Sequence, residues 1–347
     1  MTEPWYTTRE TVKSALDIQE TARSNRQVDR AIESGARNVE GLTHRRFYPE
    51  LRTMTWDWPN WQYAEPWRLW LGENELISIT TMTAGGVTIA AADRLLRPDY
   101  GPPYTHIELN LGSSASFGGG STHQRTISVY GLYGFRADET AAGALAEALD
   151  ASETAVDVTD SAAVGVGDIL RVDSERMTVT GRSMLDTGQN IGANLTASNA
   201  ATTVAVTNGA AYSVDEVLLV DAERMLVEDI AGNNLIVKRA WDGSVLAAHT
   251  SGADIYAPRT LTVTRSALGT TAATHTSAAA IVRHQPPSLI RDLNTAYAIN
   301  QLLQEGAGYA RVGGSGDNAR EFTGRGIAAL ESAVRARYGR MARLEAV

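Results

Sequence analysis

The spacing of hydrophobic positions changes three times along the chain. Over residues 1–50 it predicts two helices. Thr7 followed by Glu10 has capping-box spacing, with Val12, Leu16 and Ile18 as a short apolar stripe. Ser24 and Gln27 repeat the cap. Val28, Ile32, Val39 and Leu42 then recur at helical spacing, and the helix should end before Pro49. Residues 51–136 alternate with a period of two and predict strands: Met54, Trp56 and Trp58, then the segments 67–71, 76–82, 106–111 and 126–135. Gly85-Gly86, Gly101-Pro102 and the three glycines at 118–120 mark breaks. From Pro286-Pro287 the helical period returns, with Leu289, Leu293, Ala296, Ile299, Leu302 and Leu303 on one face. A Gly-rich stretch at 306–316 ends that helix. A last amphipathic segment, 327–341, carries Leu330, Val334 and Tyr338 beside Arg335, Arg337 and Arg340.

The block between these regions, 137–283, contains an internal duplication. Residues 156–177 align without gaps to 204–225, a shift of 48, and residues 235–256 align to 261–282, a shift of 26. Two shifts exclude a simple tandem array. The simplest solution is nesting: an outer module, 137–188 plus 260–283, interrupted by a complete inner module, 202–258. Surface loops tolerate such insertions because closing a longer loop costs little. A tandem pair lacking one half is the alternative. Val/Thr/Ala-rich alternation with Gly, Asn and Asp turns predicts small β-barrels or sandwiches. Without the block, 200 residues remain in helix–sheet–helix order, one α+β domain of 1–136 plus 284–347.

Charge separates the same regions. The chain of 347 residues has a formal charge of −9, distributed as −1 over 1–136, −10 over 137–283 and +2 over 284–347. Such a balance argues against gripping nucleic acid with the whole surface. The absence of cysteine removes disulfides and thiol chemistry. There is no apolar run long enough to span a membrane, and the first residues do not read as a secretory signal, so a protein made in the cytoplasm is expected.

Candidate chemistry is sparse. No HExxH, GxSxG, P-loop or GxGxxG pattern occurs. His249 and His275 are repeat equivalents, which favours a shared structural role. Asp173/Glu175 and Asp221/Glu223 are paired acids that a calcium site would use, but their strand–turn–strand setting reads first as a hairpin. No metal, cofactor or catalytic residue is assigned. Trp56, Trp58, Trp61, Trp67 and Trp70 form a cluster; a stacking platform for sugar or single-stranded nucleic acid is one reading, and burial in the core and at a subunit interface is favoured.

The ends of the chain resemble the head–tail connector (adaptor) family of long-tailed bacteriophages. The resemblance rests on AIESGARNVEGLTHRRFYP at 31–49, GLYGF at 131–135, PPSLIRDLNTAYAINQLL at 286–303 and ESAVRARYGRM at 331–341. The insertion departs from the plain family pattern and looks like modules of other phage virion proteins. The resemblance implies a helical adaptor domain with a small β-sheet, interrupted here by the two nested all-β modules. It also implies a structural, non-enzymatic virion protein, made in the host cytoplasm and located in the neck. Such a protein forms a ring, most often of twelve copies, between the portal protein and a stopper or tail-completion protein, and genomic DNA passes through its lumen without sequence-specific binding. The expected portal contact is Leu330, Val334, Arg335, Arg337, Tyr338, Arg340 and Met341. The expected subunit interface is the tryptophan cluster. The competing reading is a carbohydrate- or receptor-binding virion protein whose β insert is the binding head.

Overall fold

The computed structural model describes residues 3–16, 24–60, 65–306, 312–313, 320–321 and 325–340. Among these, four helices form one layer. They are α1 (Arg9–Ala15), α2 (Asn25–Thr43), α3 (Ser288–Gly306) and α4 (Arg325–Tyr338). Helix α1 is capped by Thr8, whose hydroxyl accepts from the Thr11 amide at 3.2 Å, one residue later than expected. Thr7 is instead bonded to Thr295 of α3 at 2.8 Å. Ser24 caps α2 through the Gln27 amide as the spacing predicts, and α2 stops at His44, which adopts the left-handed conformation. The buried face of α2 packs on α3 at Gly35, where a side chain would meet the Asn294 amide at 2.6 Å. That close approach sets the register of α3. Asn294 joins its buried face with Ile290, Leu293, Ala298 and Leu302, accepting from the Tyr6 amide and donating to the Ile32 carbonyl, each at 3.0 Å.

Residues 50–133 form seven strands: β1 (Glu50–Trp56), β2 (Arg68–Trp70), β3 (Leu76–Ala84), β4 (Val87–Thr88), β5 (Arg94–Arg97), β6 (His106–Leu109) and β7 (Ile127–Tyr133). They pair as two antiparallel sheets, β1-β7-β3-β4 and β2-β6-β5. One core joins them, in which Leu69, Leu71 and Ile107 of the smaller sheet meet Leu76, Met82, Ile127 and Val129 of the larger.

The insertion contributes β8 (Glu139–Ala144), β9 (Ala155–Asp157), β10 (Ile169–Val172), β11 (Glu175–Asn190), β12 (Thr203–Ala205), β13 (Val217–Val220), β14 (Glu223–Ala231), β15 (Asn234–Lys238), β16 (Asp254–Thr264) and β17 (Ala280–His284). All ten belong to one sheet, in the order β12-β15-β14-β13-β16-β11-β10-β17-β8, with β9 also on β16. A further pair, β18 (Val312–Gly313) and β19 (Arg320–Glu321), lies between α3 and α4. The pairings repeat. Hairpin β10–β11, Ile169↔Thr178 to Val172↔Glu175, is matched by β13–β14, Val217↔Leu226 to Val220↔Glu223. The pair β9–β16, with Val156 opposite Leu261, is matched by β12–β15, with Val204 opposite Leu235. There are two hydrophobic cores, one around Val158, Leu170, Met177 and Ile281 and the other around Val206, Leu218, Met225 and Ile255.

This architecture corrects the expected fold class. Among the described residues strands hold 35% and helices 23%, so the fold is mostly β rather than a helical domain with a small sheet. Seven strands precede the insertion, because the Trp-, Ile- and Thr-rich stretch between residues 50 and 133 divides into two sheets with their own core. The two inserted modules are also joined through shared strands. Strands β11 and β16 run through both, pairing from Thr178↔Thr264 to Asn190↔Asp254, and carry one sheet across the junction.

The insertion also completes the core of the remainder. Ile169 and Leu268 pack with Tyr6, Phe47, Ile290 and Leu293 of the helical layer. At Gly167, with φ +106°, a side chain would lie 2.4 Å from the Trp5 ring, and at Gly269 one would lie 1.8 Å from the Leu51 carbonyl. His284 donates from Nε2 to the Phe47 carbonyl at 2.7 Å.

Candidate functional site

Four sets of residues were candidates for function, and the structure places each. Trp56, Trp58 and Trp67 belong to the core between the two smaller sheets. Trp58 is buried against Phe117, with ring centroids 5.2 Å apart, and Trp56 and Trp67 are half-buried on the same cluster. Trp70 is half-buried at the outer face of β2, tilted against His106 with ring centroids 4.1 Å apart, and the Arg68 guanidinium lies 5.8 Å from its ring. Trp61 lies outside the described residues. Among the described residues these rings do not form one exposed platform. Alternation along the short strands turns Leu69 and Ile107 inward and leaves Trp70 and His106 on the other face.

The C-terminal stripe is used within the chain. Val334 is fully buried, and Leu330 and Tyr338 pack on the same cluster, beside Phe47, Ile290 and Leu293. Tyr338 meets Phe47 at 5.8 Å and Phe135 at 5.6 Å, both edge to face. Arg340 donates from its backbone to the Thr43 carbonyl and from its side chain to the Gly72 carbonyl. The apolar part of the expected portal contact is therefore not a free arm, because a nonpolar stripe on a helix lying against its own domain is buried there first. Arg335 and Arg337 remain exposed, and Met341 lies outside the described residues.

The paired acids form two equivalent buried polar clusters, one per module. In the outer module, Glu175 accepts from Arg265 Nε and Nη2, each at 2.7 Å, from the Ser266 and Ala273 amides, and from His275 Nε2 at 3.0 Å. His275 Nδ1 reaches the exposed Asp173 carboxylate at 2.8 Å. In the inner module Glu223, Arg239, Ala240, Ala247, His249 and Asp221 repeat the set, with distances of 2.7–3.0 Å. Asp173 and Asp221 sit in the left-handed region at the hairpin turns, φ +51° and +52°. Burial opposes ionisation of each glutamate, but the arginine, amide and histidine donors outweigh it and bring both carboxyls down to about 2. Each ring flanked by two carboxylates is satisfied at both nitrogens when both donate. With their lone pairs taken by these donors, Glu175 and Glu223 are turned from any shared calcium position toward their own arginine. The arrangement pins the β-hairpin to the loop that carries the histidine.

Two further polar sites escaped the sequence reading. Glu216 of the inner module is buried beneath Arg259, at 2.8 Å from both Nε and Nη2, and accepts from the Ser161 hydroxyl of the outer module at 2.6 Å. With Ser213 donating to Asp160 at 2.9 Å, it ties the modules together. The other is a cleft of about 270 Å³ where α1, β17 and the start of α3 meet, lined by Thr8, Asp168, Arg283, His284 and Arg291 among others. Burial pushes Asp168 up to about 6 despite Arg283 at 3.5 Å and the Gly165 amide. Burial lowers the affinity of His284 for a proton. The only hint was positional: Asp168 and Glu216 are equivalents under the shift of 48.

Among the described residues no group of three or more His, Asp or Glu side chains is placed to hold a metal ion, and no helix is long and apolar enough to cross a membrane. Comparison with protein-family models, with curated proteins and with solved structures finds no match to this chain.

Proposed function

We propose that this protein is a structural subunit of the neck of a tailed bacteriophage, forming a ring between the portal protein and the stopper or tail-completion protein, with the genome passing through the lumen. The observation that carries this reading is convergence. The four elements that resemble the adaptor family are up to about 290 residues apart in sequence, yet they meet in one core. Phe47 and Tyr48 come from the first element, Phe135 from the second, Ile290 and Leu293 from the third, and Val334 and Tyr338 from the fourth. The buried ionisable clusters of the insertion, saturated by internal donors, suit a scaffold better than a reaction site.

The portal contact does not use the apolar stripe of α4, which is spent inside the subunit. The exposed arginines of α4 remain for partners. The particle phenotype tests the assignment. A phage whose genome carries a stop codon early in this coding sequence should yield DNA-filled heads and free tails that fail to join. Intact particles that fail only to adsorb would support the receptor-binding reading and contradict this one.

A further inference from the structure

The duplication gives an internal standard for what each face of a module does. The outer module seats on the helical layer through two segments. One runs from Gly165 to Ile169: the Arg9 amide donates to the Val166 carbonyl at 3.1 Å, the Val166 amide donates to Glu10 at 2.8 Å, and Gly167 lies under Trp5. The other is the turn holding Ala267, Leu268 and Gly269, against Leu51 and the helical core. Under the shifts of 48 and 26 their equivalents in the inner module are Ser213–Val217 and Trp241–Gly243.

These equivalents are differently filled and differently covered. Val166 is 1% exposed and its equivalent Val214 is 46% exposed. Gly167, which admits the Trp5 ring, becomes the exposed Asp215. Ala267, 5% exposed, becomes the half-buried Trp241, and Val245 just beyond is 80% exposed. On this face Ser213 and Glu216 bond to the outer module, Asp242 pairs with Arg224, and the Lys238 ammonium lies 4.8 Å from the Trp241 ring, while Val214, Asp215 and Val245 stay exposed. The two large hydrophobic residues that the insertion exposes, Val214 and Val245, thus lie on or beside the face that its duplicate uses for docking. The exposed charges of the inner module are mainly acidic. Asp215, Asp221, Glu228, Asp229 and Asp254 are exposed, against Lys238 as the exposed base.

The same chain carries a surface of opposite character. Phe135 and Tyr338 pack edge to face, with the guanidinium of Arg136 5.7 Å from the first ring and that of Arg337 5.8 Å from the second. Both arginines are exposed, and neither has a carboxylate within 4 Å among the described residues. This surface belongs to the helical layer, the layer on which the outer module already sits. The inner module cannot reach it within one chain, since its strands occupy the far end of the ten-stranded sheet from β8 and β17.

We infer that the open face of the inner module, centred on Val214, Trp241 and Val245 with Asp215 at its rim, docks on the Arg136–Arg337 surface of a second copy of this chain. Two different surfaces of identical subunits meet, which is the contact that generates rings. An apolar and aromatic centre with opposite charges at the rim is the usual composition of such an interface. The inference rests on the ring reading above and names the surfaces that close the ring.

The chain has no cysteine, so a pair of introduced thiols reports the contact directly. Full-length protein carrying Val245→Cys and Arg337→Cys, treated with a short bis-maleimide, should give a ladder of covalent multimers on a denaturing gel, and each single variant should give dimers at most. Self-association of the cysteine-free protein, measured by sedimentation velocity, should weaken about tenfold on Asp215→Asn or on Arg337→Gln, and by little more when both are combined, because one charge pair is removed either way. Neither change touches the buried core, and matching thermal melts would establish that both variants fold. Absence of the ladder overturns the docking. A ladder with unchanged association in both variants overturns the charge pairing that selects the second copy. Either result leaves the neck assignment standing, because that is judged separately by the joining of heads and tails.

Discussion

Replacing Arg239 by Met tests whether the buried clusters hold the inner module together. Met keeps most of the aliphatic stem and removes the guanidinium. Glu223 would lose its two strongest donors and keep His249 and two amides. The carbonyls of Thr196, Ala201 and Ala247 would also lose their donor. The native surroundings bring Glu223 from 4.5 to about 2. At about 1.4 kcal/mol per unit that corresponds to roughly 3 kcal/mol of stabilisation above pH 4.5. Breaking one partner out of a fully buried pair costs roughly 3–5 kcal/mol, which fits that figure once the stranded carbonyls are included. Differential scanning calorimetry at pH 7 should show the inner-module transition lowered by roughly 12–24 °C. The pH dependence has a defined sign. A carboxyl depressed in the folded state contributes fully above about 4.5, and the contribution is lost as pH falls toward about 2. In the variant the folded carboxyl rises, so acid unfolding should begin at a higher pH. Arg265→Met should reproduce the effect in the outer module, and the two losses should add. A cost below about 1 kcal/mol, the value of an exposed ion pair, would refute the reasoning.

Three other outcomes follow from the packing. Gly167→Ala combines a backbone at φ +106° with overlap on Trp5, so a urea melt should show a loss of roughly 2–4 kcal/mol. Excising residues 187–255 and joining Asp186 to Tyr256 through Asn-Gly should leave a cooperative melt, since those two residues already face each other in the β11–β16 ladder. Excising 137–283 should give aggregated protein, because it uncovers the side of the helical core filled by Ile169 and Leu268. Asp168, raised to about 6 when folded, costs stability above that pH and regains it as pH falls from about 6 toward 4. Asp168→Asn should flatten the rise in melting temperature over that window, which lies above the range where Glu175 and Glu223 begin to fail.

The sequence carried different parts of this account with unequal clarity. Local signals were readable: the Ser24 cap, the Pro-Pro start of α3, and the alternation that places Leu69 and Ile107 inside. The duplication was readable as two shifts, and the hydrogen-bond pairs of the two modules fall at those same shifts. What was not readable depends on long-range pairing. Glu175 meets Arg265 and Glu223 meets Arg239 because the strands bring them together, and their separations of 90 and 16 residues have no common period. The merging of both modules into one sheet depends on the length of β11, which polar residues from Ser183 to Asn190 disguised as a loop. The burial of Val334 and Tyr338 was hidden for a similar reason. A helical stripe gives its own direction but not the identity of the surface it meets, and here that surface is Phe47 and Phe135 of the same chain.

The central claim is best tested by a cryo-EM reconstruction of the neck in virions that contain this protein. The account predicts a closed cyclic ring of the chain directly beneath the portal, with the inner module of each subunit against the Arg136–Arg337 surface of the next. Density for the chain at the tail tip, or in a single copy outside any ring, would contradict it.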